Sequence, residues 1–582
     1  MLMIGRMVLP GIAAAIVSHT AVAAPILPPA DRGLQAYVVG RVAAAEQDHE
    51  IAARAFGQAL RADAADEILQ ARAFEVALQR GDRAAALRLA QRMQGRDLRE
   101  LGLHPISRSA VALVPVAEAA RRGNLRGYDE AVSAFTDPLI GAGDPPIIAT
   151  ILEAHGLAAR GRTDAALALL EAPGAQPVTR SYFGEHRAHI LALAGRWPEA
   201  AEAYRALVEV DGVGAPRMRI AAAAAALEAG RRVPEWRGRA IAMLGGGPAD
   251  DPVLAEARAR LVANPRMAGR DLGAAVTRPA EGVGLLFLRL ATDLSRDRNP
   301  APPLAFARLA TFAAPDIPET WLVTADTLGR QEQVSLALEA LDNAPQSGPL
   351  LRAVQWRRAT LLSARGDHDA ARAVLRPLAL SPDGGMEDWV RLADIDRAAE
   401  NHAGTIDSMT RAIAMLGTDI RPEHGYLFFL RGAALEQADR FPEAEADLRR
   451  ALELQPDNAI YLNYLGYSLL DRGRKLDEAE ALIARAFVAE PENGAIIDSM
   501  GWAAFVRGRF DEAVTLLEKA RAAEPADPTI ADHLGDALWR VGRRIEARHA
   551  WAAARALDPP EKLGQKIDLK LNYGLDAALA AR

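Results

Sequence analysis

Apolar positions along this chain return at helical spacing, and no stretch of any length alternates with period two. Helices with almost no sheet are expected. The clearest run lies between Gly425 and Pro559. Gly432, Gly466, Gly501 and Gly535 recur at intervals of 34, 35 and 34 residues. Ala444, Ala479, Ala513 and Ala547 follow twelve or thirteen residues later, Ala451, Ala486, Ala520 and Ala554 seven beyond those, and Pro456, Pro491, Pro525 and Pro559 five further on. The two alanines of each set lie two helical turns apart on one face. The glycine and the first alanine mark the crossing of a first helix with a second. Small residues there let the backbones approach, and a bulky one would overpack by roughly 1–3 kcal/mol. The proline ends the second helix, because it has no N–H and disfavours helix at the residue before it. One such pair cannot cover its own apolar face, so neighbouring pairs must stack.

Paired helices with a period of about 34 residues and these small-residue offsets are the tetratricopeptide repeat, TPR. The expected fold is all-α, a right-handed α-α superhelical TPR solenoid. Residues 425–561 hold four well-formed repeats. Residues 285–424 read as degenerate TPR-like pairs, for instance Trp321 and Ala325 with Ala337 and Leu341. Residues 25–262 read as a degenerate N-terminal solenoid that begins with Gly40, Ala52, Phe56 and Ala59. Between them, residues 263–284 are expected to form an irregular junction. The turn-rich Gly245-Gly246-Gly247-Pro248 and Asn264-Pro265 announce it. Residues 562–582 are expected to be a capping helix and tail, with Lys562, Lys566 and Lys570 giving the polar outer face that a terminal repeat needs.

The first 24 residues change the picture of where the chain works. Arg6 precedes an apolar run from Met7 to Val17, and Ala21-Val22-Ala23 has the small-x-small form of a cleavage site, so a secretory signal peptide at 1–24 is expected. Retention as an uncleaved anchor is one alternative; a false signal, with the chain starting at Met3 or Met7 and staying in the cytoplasm, is the other. The run is too short to span a bilayer, which takes about 20 residues, and no other span is expected after cleavage. The chain has no cysteine. That excludes thiol catalysis, disulfides, cysteine-based zinc sites and a lipid-modified N-terminal cysteine. A periplasmic protein without a lipid anchor is expected. The net charge of −7 offers no basic field for a phosphate backbone, so no nucleic acid partner is expected.

Candidate chemistry is sparse. There is no phosphate loop ending in Lys-Ser/Thr, no HExxH and no GxSxG, so no catalytic residue, no cofactor and no enzyme activity are expected. His186 and His189 share a helix face at i, i+3. With no third ligand evident they read as a polar rim, and no metal site is expected. Binding is better supported. First helices line the concave face of such arrays, which places Asn463 and Tyr467, Asp498 and Trp502, and Asp532 and Asp536 there, with Phe505 and Trp539 a turn further on. Aromatic residues beside carboxylates suit a protein segment bearing apolar and basic groups.

Three stretches are more specific than the repeat itself: NYLGYSLLDRG from Asn463 to Gly473, IIDSMGW from Ile496 to Trp502, and ADHLGDALWRVG from Ala531 to Gly542. Over about 140 residues they resemble the ending of a family of bacterial envelope TPR proteins. That family includes the lipoprotein adaptor of a periplasmic carboxyl-terminal processing protease. The resemblance implies an exported scaffold that brings a protease to cell-wall hydrolases, with Asn463, Tyr467, Asp498, Trp502 and Asp532 as contact positions. This chain departs from that member in lacking the lipid-anchor cysteine. A structural scaffold for assembling or exporting an envelope polysaccharide or outer-membrane component is the alternative.

Overall fold

A computed structural model describes residues 29–576, apart from 136–145, 172–175, 212–214, 232–234, 246–251, 265, 274–275, 296–300, 347 and 349. The expected signal segment and residues 246–248 of the glycine-rich stretch lie outside the described residues. Thirty-one α-helices and no strand are found among the described residues. The all-α expectation therefore holds. Packing divides the chain into two compact units, with the division between Leu378 and Ala379.

In the C-terminal unit, helix pairs follow one another without interruption. Gly425–Gln437 pairs with Phe441–Leu454, Ala459–Asp471 with Leu476–Ala489, Gly494–Val506 with Phe510–Ala523, and Pro528–Arg540 with Arg544–Ala556. Gly466 sits where an added Cβ would lie 2.9 Å from the Ala479 carbonyl oxygen and 2.7 Å from Ile483. At Gly501 it would lie 2.8 Å from Leu517, and at Gly432 3.0 Å from Leu448, while at Gly535 it would overlap the Trp551 indole. Ala444, Ala479, Ala513 and Ala547 are fully buried. Each of the last three first helices is also capped from its own sequence. Asn458, Asn493 and Asp527 accept from the backbone N–H groups of Tyr461, Ile496 and Ile530, which satisfies donors that the helix leaves free. The chain closes with the helix Glu561–Tyr573 against Arg544–Ala556. Lys562 and Lys566 are exposed, but Lys570 is buried, which corrects the reading of that helix as a uniformly solvated cap.

The N-terminal unit starts in the same way and then departs from it. First helices Glu67–Arg80, Pro105–Arg122, Ile147–Ala159 and Pro177–Leu193 each pair with the helix that follows. The hairpin of Pro279–Leu294 and Ala301–Ala313 then folds back across all four of them. Gly282 lies against the His155 ring and Gly284 against Ala314, and in both places a Cβ would overlap its neighbour. Arg289 donates through Nη1 to Ser181 O at 3.1 Å and to Glu185 Oε2 at 2.7 Å. Tyr182 donates to Asp293 at 2.7 Å, and the buried Arg308 donates to Gln79 O at 3.0 Å. The division expected within 263–284 is thus corrected. Residues from Pro279 onward begin this hairpin, whose long-range contacts tie it to the helices before it.

The polar-rim reading of His186 and His189 is corrected as well. Both are fully buried, and His155 from the preceding first helix meets them. Burial pushes all three imidazoles down, His155 to about 4, so they are neutral at neutral pH.

Candidate protein-binding face of the C-terminal repeats

The first helices of the second, third and fourth repeats carry the candidate residues at positions that share one helix face. Ala459–Asp471 supplies Asn463 and Tyr467, Gly494–Val506 supplies Asp498, Trp502 and Phe505, and Pro528–Arg540 supplies Asp532, Asp536 and Trp539. The structure sorts them into an aromatic layer and a buried polar row.

The aromatic layer is half-buried. The Trp502 indole stacks on His533, with ring centres 4.1 Å apart and 14° between planes, and on Phe505 at 4.6 Å and 9°. Tyr467 lies 6.4 Å from the same His533 ring. Tyr467, Trp502 and Phe505 each keep part of their surface in solvent, as does Asn463. The Asn463 Oδ1 is shielded and has no hydrogen-bond partner. Stacked aromatic rings fixed by their neighbours present large area at little entropic cost, as binding anchors do.

The polar row lies beneath. His533 Nδ1 is 3.0 and 3.1 Å from the two oxygens of Asp498. Burial alone would depress this imidazole. The charge and hydrogen bond of Asp498, with Asp532 and Asp536 adding, raise it above its ordinary value. Lys570 Nζ donates to Asp532 Oδ2 at 2.7 Å and to Asp536 Oδ2 at 2.8 Å, and Trp551 Nε1 donates to Asp536 Oδ1 at 2.9 Å. Burial pushes the Asp536 carboxyl up to about 6; Lys570 opposes this and Asp532 adds to it. Asp498, Asp532 and Asp536 are therefore buried and engaged within the chain. The expectation that they offer carboxylates to a basic ligand is corrected. Asp498 ties the helix that bears Trp502 to the next first helix through His533, and Asp532 and Asp536 tie that next helix to the closing one through Lys570.

Trp539 has a different place from the one expected. Its ring lies 5.4 Å from Trp551, its Nε1 donates to Asp576 at 3.1 Å, and Gly574 presses on the indole edge. It belongs to the seam with the C-terminal segment, not to the aromatic layer. Sequence reasoning missed the inward role of Lys570, whose ammonium joins Asp532 and Asp536. The available signal was the recurrence of an aspartate at one register of successive repeats, Asp498 and Asp532.

Residues 429–494 and 499–562 match the tetratricopeptide repeat family. A search of the curated proteins gives no match. Among solved structures, the chain is similar to a tetratricopeptide repeat protein from Parabacteroides merdae ATCC 43184, at 16% identity and TM-score 0.37 over 44% of this chain and 97% of that one. It is similar to the Cut9–Hcn1 hetero-tetramer of the APC/C at 14% identity and TM-score 0.36, over 94% of this chain and 96% of that one. It is also similar to YrrB, a TPR protein with an unusual peptide-binding site, at 21% identity and TM-score 0.25 over 30% of this chain and 86% of that one. The family match falls on the helix pairs whose glycines and alanines sit at the crossings, so the fold is that of an all-α TPR solenoid, a scaffold architecture for contacts between proteins.

Proposed function

We propose that this chain is an exported TPR adaptor that docks protein partners on the aromatic layer of its C-terminal repeats, and that it brings a periplasmic protease to cell-wall hydrolases. The observation that carries the docking reading is the half-exposed stack of Trp502 on Phe505 and His533, flanked by Tyr467 and held from below by Asp498. Export is supported by the signal-like residues 1–24, and the protease role by the resemblance of residues 463–473, 496–502 and 531–542 to envelope adaptors. With its carboxylates engaged internally, the face suits an apolar or aromatic segment with amide groups rather than a basic one.

The test is a pull-down from envelope extract with wild type and with Tyr467→Ala/Trp502→Ala, each checked for an unchanged helical spectrum. The double variant is expected to lose a protease and its hydrolase clients that the wild type retains. Identical prey from both would remove this face from the reading. In a deletion strain, stabilised hydrolases support the adaptor, whereas a polysaccharide or porin defect with normal hydrolase levels favours the envelope-assembly scaffold. A reporter active only in the periplasm, fused after Ala24, tests export. An inactive fusion argues against it.

A further inference from the structure

Three of the eleven histidines meet at one point under the N-terminal hairpin, and the docking reading gives them no task. We propose that His155, His186 and His189 bind a divalent first-row transition ion, zinc foremost, that staples two successive first helices together.

The geometry comes first. His155 is on Ile147–Ala159, and His186 and His189 are one turn apart on Pro177–Leu193. His155 Nε2 lies 2.9 Å from His186 Nδ1, and His189 Nδ1 lies 3.4 Å from that same atom. One nitrogen from each ring falls within 4.8 Å of the other two. A tetrahedral zinc with nitrogens at about 2.0–2.1 Å spaces them by about 3.3 Å. The rings stand edge to face, at 89° and 85°, so their nitrogens converge without the rings stacking.

Hydrogen bonding among the rings does not account for this cluster. A neutral imidazole has one N–H and one in-plane lone pair. His186 Nδ1 therefore cannot serve both neighbours well. The outer nitrogens, His155 Nδ1, His186 Nε2 and His189 Nε2, are buried without a hydrogen bond, and so is the hydroxyl of Tyr204, whose ring is 5.7 Å from His189. A cation at the point of convergence takes three lone pairs at once and leaves each ring its proton on the outer nitrogen. There His189 Nε2 lies 3.7 Å from Glu185 Oε1, close enough that a small shift would give it the carboxylate partner that orients a metal-bound ring.

The surroundings admit an ion. Arg217 and Arg289 contact Glu185, and Arg289 also pairs with Asp293, so two carboxylates offset the two guanidiniums near the site. A cleft of about 320 Å³ lined by Gly156, Tyr128, Arg278 and Val283 reaches His155, one of the three. The chain has no cysteine to divert a soft ion elsewhere. Three protein nitrogens leave a fourth position for water.

Untagged full-length protein, stripped with a chelator and dialysed against Zn²⁺, is expected to retain about one zinc per chain by elemental analysis. Co²⁺ in its place is expected to give the intense visible bands of a four-coordinate site. His186→Ala/His189→Ala is expected to lose both. Zinc content unchanged by that variant means adventitious surface binding and overturns the proposal, as does a wild type that retains no zinc. Should the variant fail to fold, the wild type decides alone. Zn²⁺ is expected to raise its unfolding temperature in a concentration-dependent way, and a weak six-coordinate cobalt spectrum with no such rise overturns the site.

Discussion

The two units use the same device, a row of first helices, and finish it differently. In the N-terminal unit the row from Glu67 to Leu193 is covered by the chain's own hairpin, Pro279–Leu294 with Ala301–Ala313. In the C-terminal unit the aromatic layer of Tyr467, Trp502 and Phe505 stays half-exposed above a row of internal ion pairs. A covered row must fit one non-repeating surface, so its residues are chosen position by position. An uncovered row need only fit the next repeat, and periodicity survives.

The comparison can be broken most severely at Glu185, which is buried and paired with Arg217 and Arg289. Glu185→Ala leaves two guanidiniums without their carboxylate, and a loss of about 3–5 kcal/mol is expected. Hydrogen exchange should show Pro279–Leu294 and Pro177–Leu193 losing protection while the repeats from Gly425 onward keep theirs. Equal loss in both units would mean that the hairpin does not act locally. Gly282→Val probes the same cover more gently. Its side chain overlaps His155, and overpacking by up to about 3 kcal/mol is expected, read as a lower unfolding temperature with the same helical content.

Acidity should separate the units by sign. Asp536, at about 6 in the folded state, holds a proton that in the unfolded chain, at the ordinary aspartate value of 3.8, has been released. Stability from this group is therefore full below about 3.9 and declines as pH rises through about 6. His533 is raised above 6.5, so its contribution is full below that value and is lost as pH rises through the higher folded one. Protection of Pro528–Arg540 should be greater at pH 5 than at pH 8, with Asp536 alone contributing on the order of 1 kcal/mol and His533 adding in the same direction. At the N-terminal end the sign reverses. Burial, and then Arg308, lower the His49 imidazole, so its contribution is lost as pH falls below 6.5. Matching pH profiles in the two units would refute this assignment. The smallest effect belongs to a single cap: Asn458→Ala removes the acceptor for Tyr461 N–H and should cost about 1 kcal/mol, seen as fraying at the start of Ala459–Asp471.

This contrast also explains what the sequence made legible. Gly466 and Ala479 could be read because one requirement, close backbone approach, recurs at a fixed interval. The hairpin could not, because its contacts, such as Arg289 with Ser181, join positions that share no period. Pro177–Leu193 is buried on nearly every side, from Thr179 and Tyr182 through His186 to Ala192, so no single apolar stripe marks its inner face. Lysine reads as a solvent residue until a pair of aspartates 38 and 34 positions earlier is placed beside it, as happens to Lys570. Tyr467, Trp502 and Phe505 share a layer as their register implies, whereas Trp539, of the same register class, turns to the C-terminal seam. Register assigns a face and not a depth, so Asp498, Asp532 and Asp536 read from sequence as ligand contacts although they are buried.

The covering hairpin has a consequence for how the protein is made. Arg308 reaches Gln79 across 229 positions, and Asp293 reaches Tyr182 across 111. A repeat array ordinarily assembles outward from any nucleus, pair by pair. Here the early helices leave the ribosome long before the segment that shields them has been synthesised, and contacts this distant in sequence slow their completion. The nascent chain therefore passes through a period with an uncovered apolar row, and that interval is when a holding chaperone has something to grasp.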